Sequence, residues 1–275
     1  MKPLLKWAGG KRHIVSILEE LLPADWKSGT YFEPFLGGAA FFLYLAPPRS
    51  ILADVNPRLV GFYNDVQDRP NKLYRLIENY AKEFNASEES AKKDYYLQLR
   101  GNFNLAESGV ESSAMLYALN KLCFNGLYRE NSRGHFNVPF GQKKNFPTIH
   151  EADFESVSQA FGQSAIQLAD FENTVSRAMR GDFVYFDPPY IPISPTSSFT
   201  TYSSVGFGVE EQRRLAATMH ELRSRGVKAM LSNSSTEVTS HTYAGLRQVT
   251  ISAPRMVSAS ASGRGRVDEL VIMNY

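Results

Sequence analysis

Short apolar runs bounded by glycine, proline or polar residues alternate along the chain with longer stretches of helical periodicity. The first such stretch has Ile14, Ile17, Leu18 and Leu21 on one face and stops before Pro23. By the same criteria, strands are predicted at 30–33, 50–53, 164–168, 183–186, 227–231 and 267–274, and helices at 13–22, 39–46, 71–84, 88–99, 111–123 and 210–225. This mixture of patterns predicts an α/β fold.

The order of the first elements narrows the fold further. The first two predicted strands flank a glycine loop and a helix, and the second strand ends at Asp54, as in a nucleotide-binding βαβ unit. From Pro57 the pattern changes to long polar helical segments. We therefore expect one α/β sheet domain, formed by 1–56 and 150–275, that is interrupted by a mostly helical insertion at 57–149.

Composition excludes several protein classes. Of the 275 residues, 43% are hydrophobic and 21% are charged, which is typical of a globular protein. No run of 18 apolar residues predicts a membrane span, and the N-terminus lacks the apolar core of a signal peptide. The single cysteine, Cys123, excludes an intramolecular disulfide and a cysteine-rich zinc site. These features together predict a cytoplasmic protein.

The net charge of +2 conceals a local basic excess. Between residues 120 and 147 one acidic residue, Glu130, stands among five cations: Lys121, Arg129, Arg133, Lys143 and Lys144. A basic segment interleaved with aromatic residues is typical of a nucleic-acid surface, although a solvated loop would have the same charge.

The tetrapeptide Asp187-Pro188-Pro189-Tyr190 directly follows the predicted strand 183–186. Ligands of open α/β sheets bind at the carboxyl ends of strands, which is where this motif falls. An aspartate and a proline-fixed backbone carbonyl can accept the two hydrogens of an amino group, and a tyrosine can stack on an extruded base. The alternative is a rigid loop whose aspartate caps a turn.

Two further segments belong with this motif. Leu5-Lys6-Trp7-Ala8-Gly9-Gly10-Lys11 combines a flat aromatic side chain, a glycine pair and two cations. The glycine loop Phe32-Glu33-Pro34-Phe35-Leu36-Gly37-Gly38-Ala39 follows the first strand. Asp54 lies 17 residues beyond Gly37, close to the spacing of about 20 that suits an acid binding ribose hydroxyls.

With these motifs in order, the chain closely resembles the DNA adenine methylase (Dam) family of S-adenosylmethionine-dependent N6-adenine DNA methyltransferases. The motifs that carry the resemblance are 5–11, 33–38, Asp54, Phe124-Asn125-Gly126-Leu127-Tyr128-Arg129, Phe136-Asn137-Val138-Pro139-Phe140-Gly141, Asp170-Phe171, 187–190 and Phe199-Thr200-Thr201-Tyr202. The resemblance implies a Rossmann-like methyltransferase sheet with an inserted helical target-recognition domain. It makes 1–56 and 150–275 the catalytic, cofactor-binding domain and 57–149 the DNA target-recognition domain. The chain departs from the family at Ala39, where many members have a third glycine.

The resemblance also implies the cofactor, S-adenosylmethionine, and the residues that contact it. These are Trp7, Ala8, Lys11, Phe35, Asp54, Asp170, Phe171 and Asp187. Asp54 would hold the ribose hydroxyls, Asp170 and Phe171 would contact the adenine, and Asp187 would contact both the cofactor and the target amino group. Each has a structural alternative: Trp7 could be core, and either Asp54 or Asp170 could cap a helix.

Double-stranded DNA is the implied partner. The family positions of Lys6 and Arg129 read guanines of GATC, and that of Phe124 wedges into the base stack. The arginine fork suits guanine O6 and N7, and Asn125 suits adenine or phosphate. The DNA-contact candidates are Lys6, Phe124, Asn125, Arg129, Asn137 and Pro139.

The expected reaction is methyl transfer to N6 of a flipped adenine in duplex DNA, within GATC. Asp187 and the Pro188 carbonyl would orient the amino group while Tyr190 stacks the base, and neither a metal nor an obligatory protein partner is expected. The alternatives are a methyltransferase acting on an RNA adenine or a protein amide, and a DNA-binding regulator with an inactive methyltransferase fold.

Overall fold

A seven-stranded sheet forms the centre of the protein. The computed structural model describes residues 1–191, 207–254 and 266–275, so the motif at 199–202 lies outside the described residues. The strands are β1 (Tyr31–Glu33), β2 (Ser50–Asp54), β3 (Ser164–Leu168), β4 (Phe183–Phe186), β5 (Lys228–Ser234), β6 (Arg247–Pro254) and β7 (Arg266–Met273). Their order across the sheet is β3-β2-β1-β4-β5-β7-β6.

Helices cover both faces of this sheet and build the segment between β2 and β3. They are α1 (Val15–Glu20), α2 (Ala40–Leu45), α3 (Pro57–Asp68), α4 (Pro70–Ala86), α5 (Lys92–Leu105), α6 (Val110–Leu122), α7 (Glu151–Phe161), α8 (Phe171–Val175), α9 (Val209–Ser224) and α10 (Glu237–Thr242). A 3₁₀ turn, Phe124–Gly126, follows α6. None of the helices in the described ranges has the length and hydropathy needed to cross a membrane.

The strand order places a switch point in the middle of the sheet. Strands β3, β2, β1, β4 and β5 are parallel, whereas β7 runs antiparallel to β5 and to β6. The chain proceeds outward from β1 through β2 and β3, then returns to the other side of β1 as β4. In open α/β sheets the ligand binds where the order reverses, so this topology puts the site at the carboxyl ends of β1 and β4.

Both faces of the central parallel strands β1 and β4 are buried, as is usual in such sheets. In β4, Phe183 and Tyr185 point into one hydrophobic cluster, and Val184 and Phe186 point into the other. The first cluster continues into α3, α4, α5 and α6, so the helical segment and one face of the sheet share a core. The second cluster, which contains Val184 and Phe186, lies under α9.

Helix α3 packs on this sheet as well as on α6 and α7. Its first turn is fixed by Asn56, whose side chain accepts hydrogen bonds from the backbone N–H groups of Arg58 and Leu59, and by Pro57 at the first helical position. The segment that begins at 57 is therefore joined to the sheet by its first helix. The division into a catalytic domain and a helical insertion at 57–149 stays a prediction.

The predicted α/β class is confirmed, and the six predicted strands lie within a few residues of their observed bounds. Gly226, which follows the predicted helix 210–225, has a φ of +72° and ends α9 in a Schellman turn, with Val227 N–H donating to Leu222 O at 2.9 Å. The prediction of a helix at 88–99 was misplaced, because α5 starts at Lys92 and continues to Leu105.

Candidate active site

Asp187 stands immediately after β4, at the switch point of the sheet. Its Oδ1 lies 2.7 Å from Lys11 Nζ, and only 20% of its side chain is exposed. Burial raises the pKa of Asp187 to about 6, while the charge of Lys11 opposes that rise. The carboxylate is therefore ionised at neutral pH, yet it is a stronger proton acceptor than an ordinary aspartate.

Lys11 joins the glycine-rich N-terminal segment to the Asp187 loop. It is buried, and its Nζ donates to the carbonyl of Gly9 as well as pairing with Asp187. The same ammonium lies 4.5 Å from the centre of the Tyr190 ring. Lys11 thus forms one compact group with Asp187 and Tyr190, although it lies far from both of them in the sequence.

The Tyr190 ring is held at its other end by β7. Its hydroxyl donates to Glu269 Oε2 at 2.7 Å, and Glu269 Oε1 lies 3.6 Å from His13 Nε2. Although burial alone would raise it, the pKa of Glu269 is lowered by His13, Lys11 and the Tyr190 hydroxyl. Sequence reasoning missed Glu269; the available signal was an acidic residue inside the apolar terminal strand.

Glu33 is a second acid at the carboxyl end of β1. It is fully buried, and its Oε2 accepts a hydrogen bond from the Tyr31 hydroxyl at 2.6 Å. Burial raises the pKa of Glu33 to about 8, and the negative charge of Asp187 adds to the rise. At neutral pH Glu33 is therefore mainly protonated, unlike Asp187.

Asp54 fixes the glycine loop from the end of β2. Its Oδ2 accepts from Gly37 N–H at 3.0 Å, and its Oδ1 accepts from Asn56 N–H at 2.9 Å. Burial raises the pKa of Asp54, and these N–H donors oppose the rise. A carboxylate offers about four acceptor sites, so this scaffolding leaves acceptor capacity for a pair of hydroxyls.

Ala39, the departure from the family pattern, closes the same loop. It is buried and adopts a left-handed conformation, with φ of 56°, directly before α2. This conformation costs an L-residue with a Cβ roughly 1–2 kcal/mol. The glycine found in many family members would adopt it without that strain.

An aromatic group lies beside the glycine loop. Phe35 stacks on Phe171 with ring centres 5.7 Å apart, and it meets Phe207 edge-on at 5.5 Å. Asp170 caps α8 by accepting from Asn173 N–H at 2.9 Å, as the structural alternative anticipated. The apolar ring faces and the neighbouring acceptor form a surface suited to a purine.

Trp7 packs against both the glycine loop and the segment that follows α6. Its ring stacks on Tyr128 with centres 5.0 Å apart, and a Cβ at Gly37 would lie only 3.0 Å from its Cδ1. Gly37 also has a φ of +47°, so both space and conformation call for glycine. Trp7 and its neighbour Ala8 are each partly exposed next to this loop.

Five of the predicted DNA-contact residues lie on two segments that run antiparallel to each other. Cys123 and Glu130 pair with Phe140 and Phe136 in antiparallel bridges, which brings 123–130 alongside 136–140. The residues so assembled are Phe124, Asn125, Arg129, Asn137 and Pro139. Phe124 is 52% exposed, so its ring is accessible on this surface.

Arg129 is held in place by Asn137. Its Nε donates to Asn137 Oδ1 at 2.7 Å, and the Asn137 backbone N–H donates to the Arg129 carbonyl at 3.0 Å. One Nη2 hydrogen also faces the Asn137 carbonyl, at 3.5 Å. The Nη1 end of the guanidinium remains for another acceptor, in a plane fixed by these contacts.

Lys6 joins this surface through Asn120, a buried residue of α6 that sequence reasoning missed. Asn120 accepts from Lys6 N–H and donates to Lys6 O, both at 2.8 Å, and it also donates to Gly126 O at 3.2 Å. A Cβ on Gly126 would lie 2.5 Å from Lys6 Cδ, so the lysine stem packs directly on this glycine. The N-terminal segment and the 3₁₀ turn are thereby locked together.

One of the five cations counted in the basic segment does not belong to the surface. Lys121 is largely buried, and its Nζ donates to the Leu4 carbonyl and lies 4.7 Å from the Tyr117 ring centre. Burial lowers the pKa of Lys121 to about 8. The exposed charge near Arg129 is therefore smaller than the sequence count indicates.

Comparison with known proteins identifies the family. Residues 7–257, which are nearly the whole chain, match the family described as D12 class N6 adenine-specific DNA methyltransferase. The chain belongs to this family.

Two relatives of the methyltransferase are named type II methyltransferases. M1.LlaDCHI of Lactococcus lactis subsp. cremoris is 39% identical over 281 residues, covering 100% of this chain and 96% of the relative. M.MjaIII of Methanocaldococcus jannaschii is 38% identical over 287 residues, covering 100% of this chain and 99% of the relative. A third relative, the DNA adenine methylase of Escherichia coli K12, is 32% identical over 272 residues, covering 99% of this chain and 95% of the relative.

Proposed function

We propose that this methyltransferase transfers a methyl group from S-adenosylmethionine to N6 of an adenine flipped out of duplex DNA, within the sequence GATC. The observation that carries the proposal is the buried Asp187–Lys11 ion pair beside the Tyr190 ring, at the switch point of the sheet. A planar amino group needs two acceptors and an adjacent flat surface; Asp187 would supply one acceptor, the Pro188 carbonyl the other, and Tyr190 the surface.

Asp187 and Pro188 are proposed to orient the amino group. One carboxylate oxygen of Asp187 pairs with Lys11, which leaves the other for the first amino hydrogen, and the Pro188 carbonyl takes the second. Holding both hydrogens aims the nitrogen lone pair away from the loop. The raised pKa of Asp187 also suits it to accept the proton that the nitrogen must release.

Tyr190 is proposed to stack against the target adenine. Its hydroxyl donates to Glu269, which fixes the position of the far end of the ring before a base arrives. Taking the base out of the DNA stack costs a few kcal/mol. A positioned aromatic face offsets part of this cost, because the flipped base can stack on it.

The described residues fit S-adenosylmethionine as the methyl donor. Asp54 would hold the ribose hydroxyls, Asp170 and Phe171 would contact the adenine, and Phe35, which stacks on Phe171, would line the same pocket. The segment Trp7, Ala8 and Lys11, together with Asp187, would surround the remainder. When bound, S-adenosylmethionine supplies an electrophilic methyl group on its sulfonium.

The antiparallel segments 123–130 and 136–140 are proposed as the DNA-reading surface of a recognition region within 57–149. Arg129 would read a guanine, because Asn137 fixes its plane and leaves the Nη1 end for O6 or N7. Phe124 would wedge into the stack, and Lys6 would read the first guanine. Asn125 and Pro139 would contact the backbone or neighbouring bases.

The proposal is tested by incubating the protein and S-adenosylmethionine with plasmid DNA, with RNA and with protein. Mass spectrometry is expected to find N6-methyladenine in the DNA alone, and sequencing of modified adenines is expected to find them in GATC. Methylation of another sequence would overturn the GATC assignment, methylated RNA or amide would support another substrate class, and binding without methylation would indicate a regulator.

Asp187→Ala tests the assigned site. We expect at least about a hundredfold loss of the methylation rate, in line with removal of one preorganised catalytic group. Asp182, directly before the opposite end of the same strand, provides a matched control, because its carboxylate accepts from the backbone N–H groups of Thr30 and Met179. Asp182→Ala should lower stability while the folded protein keeps its rate; near-normal turnover in Asp187→Ala would contradict the mechanism.

A further inference from the structure

A buried polar cluster lies behind the Asp187 loop and contacts its backbone. It consists of Gln212 on α9, Asn233 and Ser234 on β5, and Tyr243 after α10, with Gln212 exposed by 1% and Asn233 by 0%. Buried amides are costly unless all their hydrogen bonds are made. Their partners therefore indicate what the cluster is for.

Gln212 connects the cluster to the loop. Its Nε2 donates to the carbonyl of Pro189 at 2.9 Å, one residue beyond Pro188. Its Oε1 accepts from Asn233 Nδ2 at 3.0 Å and from the Tyr243 hydroxyl at 2.6 Å. Because two donors fix the oxygen end of the amide, the nitrogen end can point only at the loop.

A second attachment lies on the other side of Tyr190. The backbone N–H of Ile191 donates to Asn233 Oδ1 at 3.1 Å, and the Ile191 carbonyl accepts from Ser234 Oγ at 2.7 Å. The loop backbone is thus held at 189 and at 191 by side chains of one cluster. Proline has no N–H, so the two prolines of the loop cannot donate hydrogen bonds that would hold it in place.

We propose that Gln212, supported by Asn233, is a positioning residue for methyl transfer. It sets the orientation of the Pro188 carbonyl and the Tyr190 ring by fixing the backbone that follows each of them. This inference rests on the proposed catalytic roles of Asp187, Pro188 and Tyr190. It adds a buried residue on α9, 23 positions beyond Pro189, that is not among the proposed DNA or cofactor contacts.

The test is single-turnover methylation of GATC duplex at saturating DNA and S-adenosylmethionine. Gln212→Met keeps the side-chain length but removes the donor, and we expect the rate to fall about 10- to 100-fold, as for a misplacement of about 1 Å in a reacting group. The dissociation constant for S-adenosylmethionine, from calorimetry, should stay within about twofold, because no proposed cofactor contact changes.

Asn274→Leu is the matched control. Asn274 is also a buried amide that joins α9 to β5, donating to Met219 O and accepting from Ala229 N–H, but it lies at the end of β5 remote from the loop. Its loss should lower the melting temperature comparably while the folded protein keeps its methylation rate. Equal rate losses in the two variants would reduce Gln212 to a stability role and overturn the inference.

Gln212→Glu keeps the inference testable if Gln212→Met does not fold. A protonated carboxyl donates to Pro189 O while its carbonyl accepts from Asn233 and Tyr243, whereas an ionised carboxylate has no donor. Its rate relative to wild type should therefore fall as pH rises, and a pH-independent ratio would overturn the inference. Activity retained in Asp187→Ala would instead refute the proposed function, which separates the two failures.

Discussion

Glu33→Gln should make the stability of this methyltransferase less dependent on pH. The folded protein holds a proton on Glu33 up to about pH 8, whereas an unfolded chain releases it near the ordinary value of 4.5. Stability contributed by this proton is complete below pH 4.5 and is lost as pH rises toward 8. Glutamine keeps a carbonyl acceptor for the Tyr31 hydroxyl and has no proton to lose.

The magnitude follows from the two pKa values. Between the two pKa values only the folded state binds the proton, and each pH unit there lowers the free energy of unfolding by about 1.4 kcal/mol. From pH 5 to pH 8 the wild type therefore loses about 3–4 kcal/mol of stability. This is a large share of the 5–15 kcal/mol typical of a folded protein. The side chain is 2% exposed, so solvent screening does little to reduce the effect.

Urea unfolding at pH 5, 6.5 and 8, followed by circular dichroism, measures the effect. The difference in unfolding free energy between Glu33→Gln and the wild type should shift in favour of the variant by about 3–4 kcal/mol across this range. Glu20→Gln, which alters an exposed glutamate of α1, gives the baseline for removing a surface carboxylate. A difference for Glu33→Gln that stays constant with pH would refute the reasoning, because Glu33 would then ionise equally in both states.

Three further predictions concern the site. Asp54→Ala should weaken S-adenosylmethionine binding by about 1.5–3 kcal/mol in calorimetric titration, and an unchanged affinity would leave Asp54 only its role in holding Gly37. Arg129→Ala should relax discrimination at one base pair by about 1–3 kcal/mol on singly substituted GATC duplexes, whereas uniform weakening with a lower salt slope would indicate a phosphate contact. The methylation rate should fall as pH drops through about 6, because protonated Asp187 loses its charge; a flat profile from pH 5 to 7.5 would contradict this.

Most of the sheet could be predicted from the sequence, because its central strands are short apolar runs between turn residues. Strand β6 was not predicted: Arg247, Gln248 and Thr250 interrupt its apolar pattern, as an edge strand with a solvated face allows. Helix α3 was not singled out either, although Asn56 and Pro57 form a clear start signal.

The residues of the candidate site also fall into those that the sequence predicts and those that it does not. Residues in contiguous motifs, such as Asp187 and Arg129, could be proposed from local sequence because the motif itself carries the chemistry. Asn120, Gln212 and Glu269 could not, because each acts across more than 75 residues or on backbone atoms of another segment. A buried amide in a helix has no distinctive sequence pattern, and only the tertiary structure reveals its partner.

The position of β7 has a consequence for biosynthesis. This strand is the last of the seven to be made, yet it lies between β5 and β6. Until residues 266–273 have left the ribosome, β5 presents the apolar edge Ala229, Met230 and Leu231, and β6 has no strand to join. Glu269, which holds the proposed base-stacking Tyr190, arrives on the same late strand. A nascent chain stopped before β7 would therefore be prone to aggregate and unable to modify DNA.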